Sequence, residues 1–272
     1  MGQVYRARHV ILRHDVALKL LSSELTRDPV MRERFVREAQ ATNLLKHPNI
    51  VDIWDVAEEG NRVFLVMELL QGMPLTDYMP LGRAIPPQQA GPIIYAVLQA
   101  LSMAHGQRIV HRDLKPGNLF LARLRSGKTV VKVLDFGISK VGSTADSDTT
   151  RTGQLMGSPK YMSPEQMASM RDVDGRADIW ALGAILYELA AGRPPFVAET
   201  MPLVCALVLN SEPASPRTLR PDLPPELEAV ILRCLEKTGG NKRQAARLLQ
   251  LSRTTLILSL IHISEPTRRT PI

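Results

Sequence analysis

The chain of 272 residues is long enough for one large domain or two small ones, and its hydrophobic fraction of 44% is ordinary for a globular protein. Much of the net charge of +7 lies in residues 238–272, which contain six Lys or Arg and one acidic residue. Two cysteines are too few for a disulfide framework, and the longest apolar run, Leu256–Ile263, is too short to span a membrane. We therefore expect a cytoplasmic protein with reduced thiols.

Residues 1–70 predict a small, mostly β lobe. Its single helix would run from Asp28 to about Leu45, because Asp28 can act as N-cap and a proline follows at the first helical position. Glu38 falls on the apolar face of this helix, where a carboxylate needs a partner. Lys19, the one charge in an apolar strand, is the candidate partner. The predicted strands are Val16–Leu21, Ile50–Asp55 and Arg62–Glu68.

Residues 71–237 predict a larger, mainly helical lobe. The helix beginning near Asp178 is apolar on nearly all sides, so it should be buried. Asp178 itself suits an N-cap. The polar stretch 142–153 is typical of a loop. The predicted elements of this lobe are helices at 93–104, 177–191 and 226–237 and strands at 119–122 and 130–134.

Four separated motifs occur in an order that resembles the signature of protein kinases. They are Val16-Ala-Leu-Lys19, His111-Arg-Asp-Leu-Lys-Pro-Gly-Asn118, Asp135-Phe-Gly137 and Ser163-Pro-Glu165. The resemblance covers about residues 1–237 and is greatest to bacterial kinases of the eukaryotic type. It implies an α+β, bilobal fold with a β-rich N-lobe that lacks its first strand and a larger helical C-lobe. In this family the Asp that matches Asp178 also braces the backbone of the catalytic loop.

The resemblance implies ATP and Mg²⁺ as cofactors, because phosphoryl transfer depends on alignment and charge neutralisation. Lys19 would hold the α- and β-phosphates, and Glu38 would pin it as an ion pair. Taken alone, that pair would more often be an incidental salt bridge than a functional contact. Asp135 would bind Mg²⁺ between the phosphates and Asn118 would bind the second ion, since hard oxygen ligands suit this metal.

The resemblance also implies protein substrates that bear Ser or Thr. Asp113 would orient the substrate hydroxyl and accept its proton, and Lys115 would stabilise charge on the transferred phosphate. Ser158 lies where serine/threonine kinases carry a small hydroxyl residue. Lys115, two residues after Asp113, also matches the serine/threonine pattern.

An adenine pocket is implied by the same resemblance, although apolar strand residues are as readily explained as core. Gly2 would be the one glycine left of the loop that covers the phosphates, so Met1 is interpreted as an internal methionine of a longer kinase. The implied pocket residues are Val4 and Ala17 above the ring, Phe120 below it, Met67 as gatekeeper, and Glu68 and Leu70 as hinge residues that offer backbone groups.

Arg112, directly before Asp113, resembles the arginine of kinases that are switched by phosphorylation of their activation loop. A phosphate on that loop would give the arginine a charge-assisted partner. The candidate acceptors are Thr149, Thr150 and Thr152. The alternative is that these threonines are linker residues without a regulatory role.

Residues 238–256 resemble the Fis-type helix-turn-helix of bacterial transcription regulators, with Asn241 as the first N-cap and Arg253 at the start of the recognition helix. That second helix is short, so we expect no specific binding of nucleic acid. Residues 257–272 resemble neither family. Glu165 of the Ser-Pro-Glu motif would lack its usual arginine partner beyond residue 237.

Three functions are compatible with these features. The first is an active serine/threonine protein kinase, and the second is an ATP-binding regulator with impaired catalysis. The third is a kinase-like domain fused to a DNA-binding regulator. We expect no membrane association, and the sequence does not predict the oligomeric state.

Overall fold

The computed structural model describes residues 3–21, 29–60, 62–79, 82–136, 158–168 and 173–236. Several predicted features lie outside this described part: Gly2, the side chain of Glu38, Thr149, Thr150, Thr152 and residues 238–272.

Four antiparallel strands and one helix form the N-terminal part of the fold. The strands lie in the order β1-β2-β4-β3, and helix α1 packs its buried Phe35 and Ala39 against β3 and β4 residues. The bounds of these elements are β1 Val4–Arg8, β2 Asp15–Leu20, α1 Pro29–Asn43, β3 Ile53–Glu59 and β4 Arg62–Glu68.

The strand predicted at Ile50–Asp55 begins later than expected, at Ile53. The preceding residues leave this sheet and pair with the C-terminal part of the fold instead. Ile50 forms a parallel bridge with Val133, and the Val51 amide donates to the Val133 carbonyl over 3.0 Å. Ile50, Val51 and Ile53 are all buried apolar residues, so periodicity alone did not separate the two pairings.

The rest of the described chain contains a second, three-stranded sheet, six α-helices and three short 3-10 helices. The sheet has the order β5-β6-β7, and the main core surrounds helices α3, α5 and α7. The strands are β5 Gly72–Pro74, β6 Leu119–Arg123 and β7 Thr129–Val133. The helices are α2 Leu75–Tyr78, α3 Pro87–Gly106, α4 Pro164–Ala168, α5 Gly175–Ala191, α6 Met201–Asn210 and α7 Pro225–Cys234. Among the described helices, none combines the length and the apolar character needed to cross a bilayer.

Two helix starts differ from the prediction. Helix α3 begins at Pro87, in the first turn where proline is well tolerated, and continues through Pro92 in the second turn, where proline removes one helical hydrogen bond. Helix α5 begins at Gly175, and its N-cap is Asp174, whose carboxylate accepts a hydrogen bond from the Arg176 amide over 2.9 Å. The prediction of Asp178 as N-cap was therefore wrong, since Asp178 lies inside the helix.

Close packing of α5 against α7 requires glycine at position 183. A Cβ atom there would lie 2.5 Å from the Cβ of Cys234. We predict that Gly183→Ala lowers the free energy of unfolding by about 1–3 kcal/mol, because the overpacked helices must separate. Thermal denaturation measures the effect. Gly106→Ala is the matched control, since an added Cβ there meets nothing within 4 Å. Equal melting temperatures for the two variants would contradict this explanation.

Candidate active site

The segment from His111 to Asn118 connects α3 to β6, and a buried carboxylate holds its backbone. Asp178 is 1% exposed. Its two oxygens accept hydrogen bonds from the amides of His111 and Arg112, each over 2.8 Å. His105 contacts the same carboxylate over 2.8 Å. Because a buried charge needs such partners, Asp178 and this segment fix each other's position.

The His111 ring carries its proton on one defined nitrogen. Its Nε2 lies 2.7 Å from the Leu134 carbonyl, which can only accept, so Nε2 donates. Its Nδ1 therefore accepts, and the Asp113 amide donates to it over 3.3 Å. The ring is fully buried beside Phe136. It thus joins the backbone at Asp113 to the strand end that precedes Asp135.

Asp113 lies within a compact set of polar contacts. Lys115 Nζ is 2.7 Å from Asp113 Oδ2. Asn118 Nδ2 donates to the Asp113 carbonyl over 2.7 Å and to Asp113 Oδ2 over 3.2 Å. Both contacts are made by the amide nitrogen of Asn118, so neither of them uses its amide oxygen.

Lys19 reaches across to Asp135, with Nζ 2.6 Å from Oδ1. Sequence reasoning did not predict this contact, and the predicted pairing of Lys19 with Glu38 stays a prediction. The backbone links Asp135 to the rest of the site. Its neighbour Leu134 donates from its amide to the Asn118 carbonyl over 2.9 Å. The structure therefore brings Lys19, Asp135, Asn118 and Asp113 into one connected network.

The donor set at this network fits Mg²⁺. Asp135 offers a carboxylate, and Asn118 offers an amide oxygen that neither of its contacts with Asp113 uses. Mg²⁺ is usually held by one or two protein oxygens together with substrate phosphates and water. Within the described ranges, no cluster of three or more His, Cys, Asp or Glu side chains could form an all-protein metal cage.

The predicted adenine-pocket residues of the first sheet share one face. In antiparallel strands, directly opposed residues lie on the same side, as do residues two apart. Val4 opposes Lys19, and Ala17 opposes Met67. Ala17 is buried, whereas Val4 is 58% exposed.

The remaining adenine-pocket residues lie at the second sheet and the chain that leads to it. Phe120 opposes Lys132 on neighbouring strands, so both lie on one face of that sheet. The Lys132 side chain reaches Glu68 at the end of β4, so this face is turned toward the hinge. Leu70 is half-buried and lies in the connection between β4 of the first sheet and β5 of the second.

A partly buried ion pair between Lys132 and Glu68 was not predicted from the sequence, since Glu68 was expected to offer only backbone groups. Lys132 Nζ lies 2.6 Å from Glu68 Oε1 and donates to the Ile50 carbonyl over 3.1 Å. The Asp52 amide donates to the same Glu68 oxygen over 2.8 Å. A lysine in the apolar strand β7 was the signal that could have revealed this pair.

Ser158 lines a cavity together with Asp113, Lys115 and Tyr161. The Tyr161 hydroxyl donates to Glu188 Oε2 over 2.6 Å. Burial raises the pKa of the Tyr161 phenol, and burial likewise raises the pKa of the Glu188 carboxyl against the lowering effect of this hydrogen bond. Tyr161 therefore anchors the segment after Ser158 to α5.

Arg112 adopts a left-handed backbone conformation, with φ of 64°. Its Nε is buried and has no hydrogen-bond partner within the described part of the chain. Such a buried donor is costly to leave unsatisfied. The threonines predicted to act with it lie outside the described residues.

Comparison with known proteins agrees with this geometry. The family model of the protein kinase domain matches residues 1–252, which includes most of the segment that resembles a helix-turn-helix. The chain is 38% identical over 250 residues to serine/threonine-protein kinase PknB of Mycolicibacterium smegmatis, covering 90% of this chain and 39% of that protein. It is 42% identical over 237 residues to serine/threonine-protein kinase Pkn1 of Myxococcus xanthus, covering 87% of this chain and 34% of that protein. The chain thus spans about two-fifths or less of the length of these relatives.

Solved structures give the same result. The kinase domain of Mycobacterium tuberculosis PknI, determined as a double mutant, superposes with a TM-score of 0.68 at 28% identity, over 93% of this chain and 91% of that one. The predicted fold, with a β-sheet N-lobe and a helical C-lobe, is therefore confirmed. Since the kinase family model also matches nearly the whole chain, this chain belongs to the protein kinase family, among its bacterial serine/threonine members.

Proposed function

We propose that this chain transfers the γ-phosphoryl group of ATP to serine and threonine hydroxyls of protein substrates, with Mg²⁺ as the metal. The observation that carries the proposal is the connected network of Asp113, Lys115, Asn118, Asp135 and Lys19. It combines a fixed carboxylate, two lysines and a pair of oxygen ligands, which are the groups that phosphoryl transfer needs.

Asp113 is suited to orient the substrate hydroxyl and take its proton. Its carboxylate is fixed by Asn118 and lies 2.7 Å from the Lys115 ammonium. That ammonium also supplies positive charge beside the transferred phosphoryl group. Lys19 adds a second positive charge for the phosphates and holds Asp135 in place over 2.6 Å. Mg²⁺ bound by Asp135 and Asn118 would neutralise charge on the phosphate oxygens.

Preference for serine and threonine is supported by the cavity that Asp113, Lys115 and Ser158 share. We propose that the small hydroxyl side chain of Ser158 faces the side of Asp113 from which the substrate hydroxyl approaches. A cytoplasmic location remains a prediction from the sequence.

We predict that Asp113→Asn lowers kcat for phosphoryl transfer by about 10²–10⁴, because the amide cannot accept the proton of the hydroxyl. Transfer of radiolabelled phosphate to a serine- or threonine-containing protein measures the effect. Asp77→Asn is the control, since Asp77 is exposed on α2. If wild type and Asp113→Asn both bind ATP without transferring phosphate, the chain is instead an ATP-binding regulator.

We also propose that phosphorylation of Thr149, Thr150 or Thr152 activates the enzyme through Arg112. The buried Nε of Arg112, which has no partner among the described residues, supports this proposal. A phosphate would give this guanidinium a charge-assisted partner and so order the catalytic segment.

We predict that phosphatase treatment lowers wild-type activity about tenfold or more, as expected for loss of a hydrogen bond between charged groups. Arg112→Gln should be weakly active and insensitive to phosphatase. The exposed Arg123→Gln is the control and should respond like wild type. Mass spectrometry identifies the modified threonine. An Arg112→Gln enzyme that still loses activity on dephosphorylation would contradict the role of Arg112.

For residues 238–256 we retain Fis-type ancestry as a proposal, supported by the sequence resemblance alone, while the kinase family model extends to residue 252. Because the second helix of this segment is short, we predict no retention on duplex DNA at 0.1 M salt. Retention that falls with rising salt and disappears when the chain is cut after Lys237 would favour the DNA-binding regulator instead.

A further inference from the structure

Gln166, on helix α4, links the acceptor side of the site to the catalytic segment. Its side chain is 5% exposed. Nε2 donates to the Arg112 carbonyl over 2.7 Å, and Oε1 accepts from the Ser163 amide over 3.1 Å. The Gln166 amide in turn faces Ser163 Oγ over 3.4 Å. One buried amide therefore satisfies backbone groups from two different segments.

The Arg112 contact matters because of the backbone conformation there. A non-glycine residue with φ of 64° is strained and persists only when its surroundings hold it. Asp178 accepts from the Arg112 amide over 2.8 Å, and Gln166 donates to the Arg112 carbonyl. Both peptide groups that flank the strained residue are thus fixed by buried side chains. The second of these peptide groups leads directly into Asp113.

We propose that Gln166 is a positioning residue for Asp113. This inference rests on the proposed kinase activity. Gln166 holds the peptide before Asp113 and, through Ser163, the segment that contains Ser158, so it sets the acceptor side relative to the carboxylate. Ser158, Asp113 and Gln166 line the same cavity. The Lys19–Asp135 contact does not involve Gln166, so ATP binding should be largely independent of it.

Two variants separate a hydrogen-bonding role from a packing role. Gln166→Met has similar length but supplies neither donor nor acceptor. Gln166→Glu supplies both while its carboxyl group is protonated, and loses the donor when it ionises. Burial should raise the pKa of the introduced carboxyl group, which brings its ionisation into an accessible pH range. Gln99→Met and Gln99→Glu are matched controls on α3, where the glutamine is exposed.

We expect Gln166→Met to lower kcat about 10–100-fold at every pH, with KM for ATP changed less than about twofold. The kcat of Gln166→Glu should approach that of wild type at low pH. As pH rises, its kcat should fall about tenfold or more relative to that of wild type. The Gln99 variants should follow the wild-type profile. The proposal would be overturned if kcat were unchanged in Gln166→Met, or if KM for ATP rose in that variant by as large a factor as kcat fell. A pH profile of kcat for Gln166→Glu that runs parallel to that of wild type would also overturn it.

Amide hydrogen exchange provides a readout that does not depend on catalysis. In Gln166→Met, exchange should accelerate at Arg112, Asp113 and Ser163 relative to Gln99→Met, because the bridging amide is lost. If wild type transfers no phosphate, the proposed function fails while faster exchange at these residues still supports the positioning link. Unchanged exchange at all three would overturn the link, whatever the activity.

Discussion

The site depends first on the carboxylate of Asp178. It is buried in α5, the helix at the centre of the main core, and accepts from the backbone amides of His111 and Arg112. Charge-assisted hydrogen bonds of this kind are stronger than neutral ones and also restrict direction. Because α5 is packed on nearly all sides, the catalytic segment inherits the rigidity of the core although it has little regular structure of its own.

From this anchor the geometry extends outward through backbone groups rather than through side-chain packing. The His111 ring bridges the Asp113 amide and the Leu134 carbonyl, and the Leu134 amide binds the Asn118 carbonyl. Asp135 follows directly and contacts Lys19 of the N-terminal sheet. Buried polar networks of this kind define one geometry when every member is satisfied. Arg112 Nε and His105 Nδ1 are exceptions, since neither of these buried nitrogens has a hydrogen-bond partner among the described residues.

The sequence predicted the fold, because eight consecutive residues and three further motifs are specific, and the roles of the site residues stay predictions. It predicted less well which residues and strands contact each other. Periodicity could not show that the chain around Ile50 leaves one sheet for another, since both partners bury apolar side chains. Helix-start signals favoured Asp178, but Asp174 caps the helix because the first turn tolerates Gly175. Gln166 carried no signal, since a buried amide between two backbone segments has no characteristic spacing in sequence.

Two lysines lie in apolar strands, and each forms an ion pair with an acidic residue because a charge in such a strand needs a partner. Together the two ion pairs connect the two sheets. Lys19 extends from β2 to Asp135 beyond β7, and Lys132 extends from β7 to Glu68 at the end of β4. Each lysine is in one sheet and its acid is at an end of the other. Both pairs are partly buried, so each contributes little net stability, but removal of one partner destabilises the protein because it leaves a partly desolvated charge unpaired. Relative displacement of the sheets would separate both pairs, so these contacts favour one arrangement of the face shared by Val4, Ala17 and Met67 against Phe120.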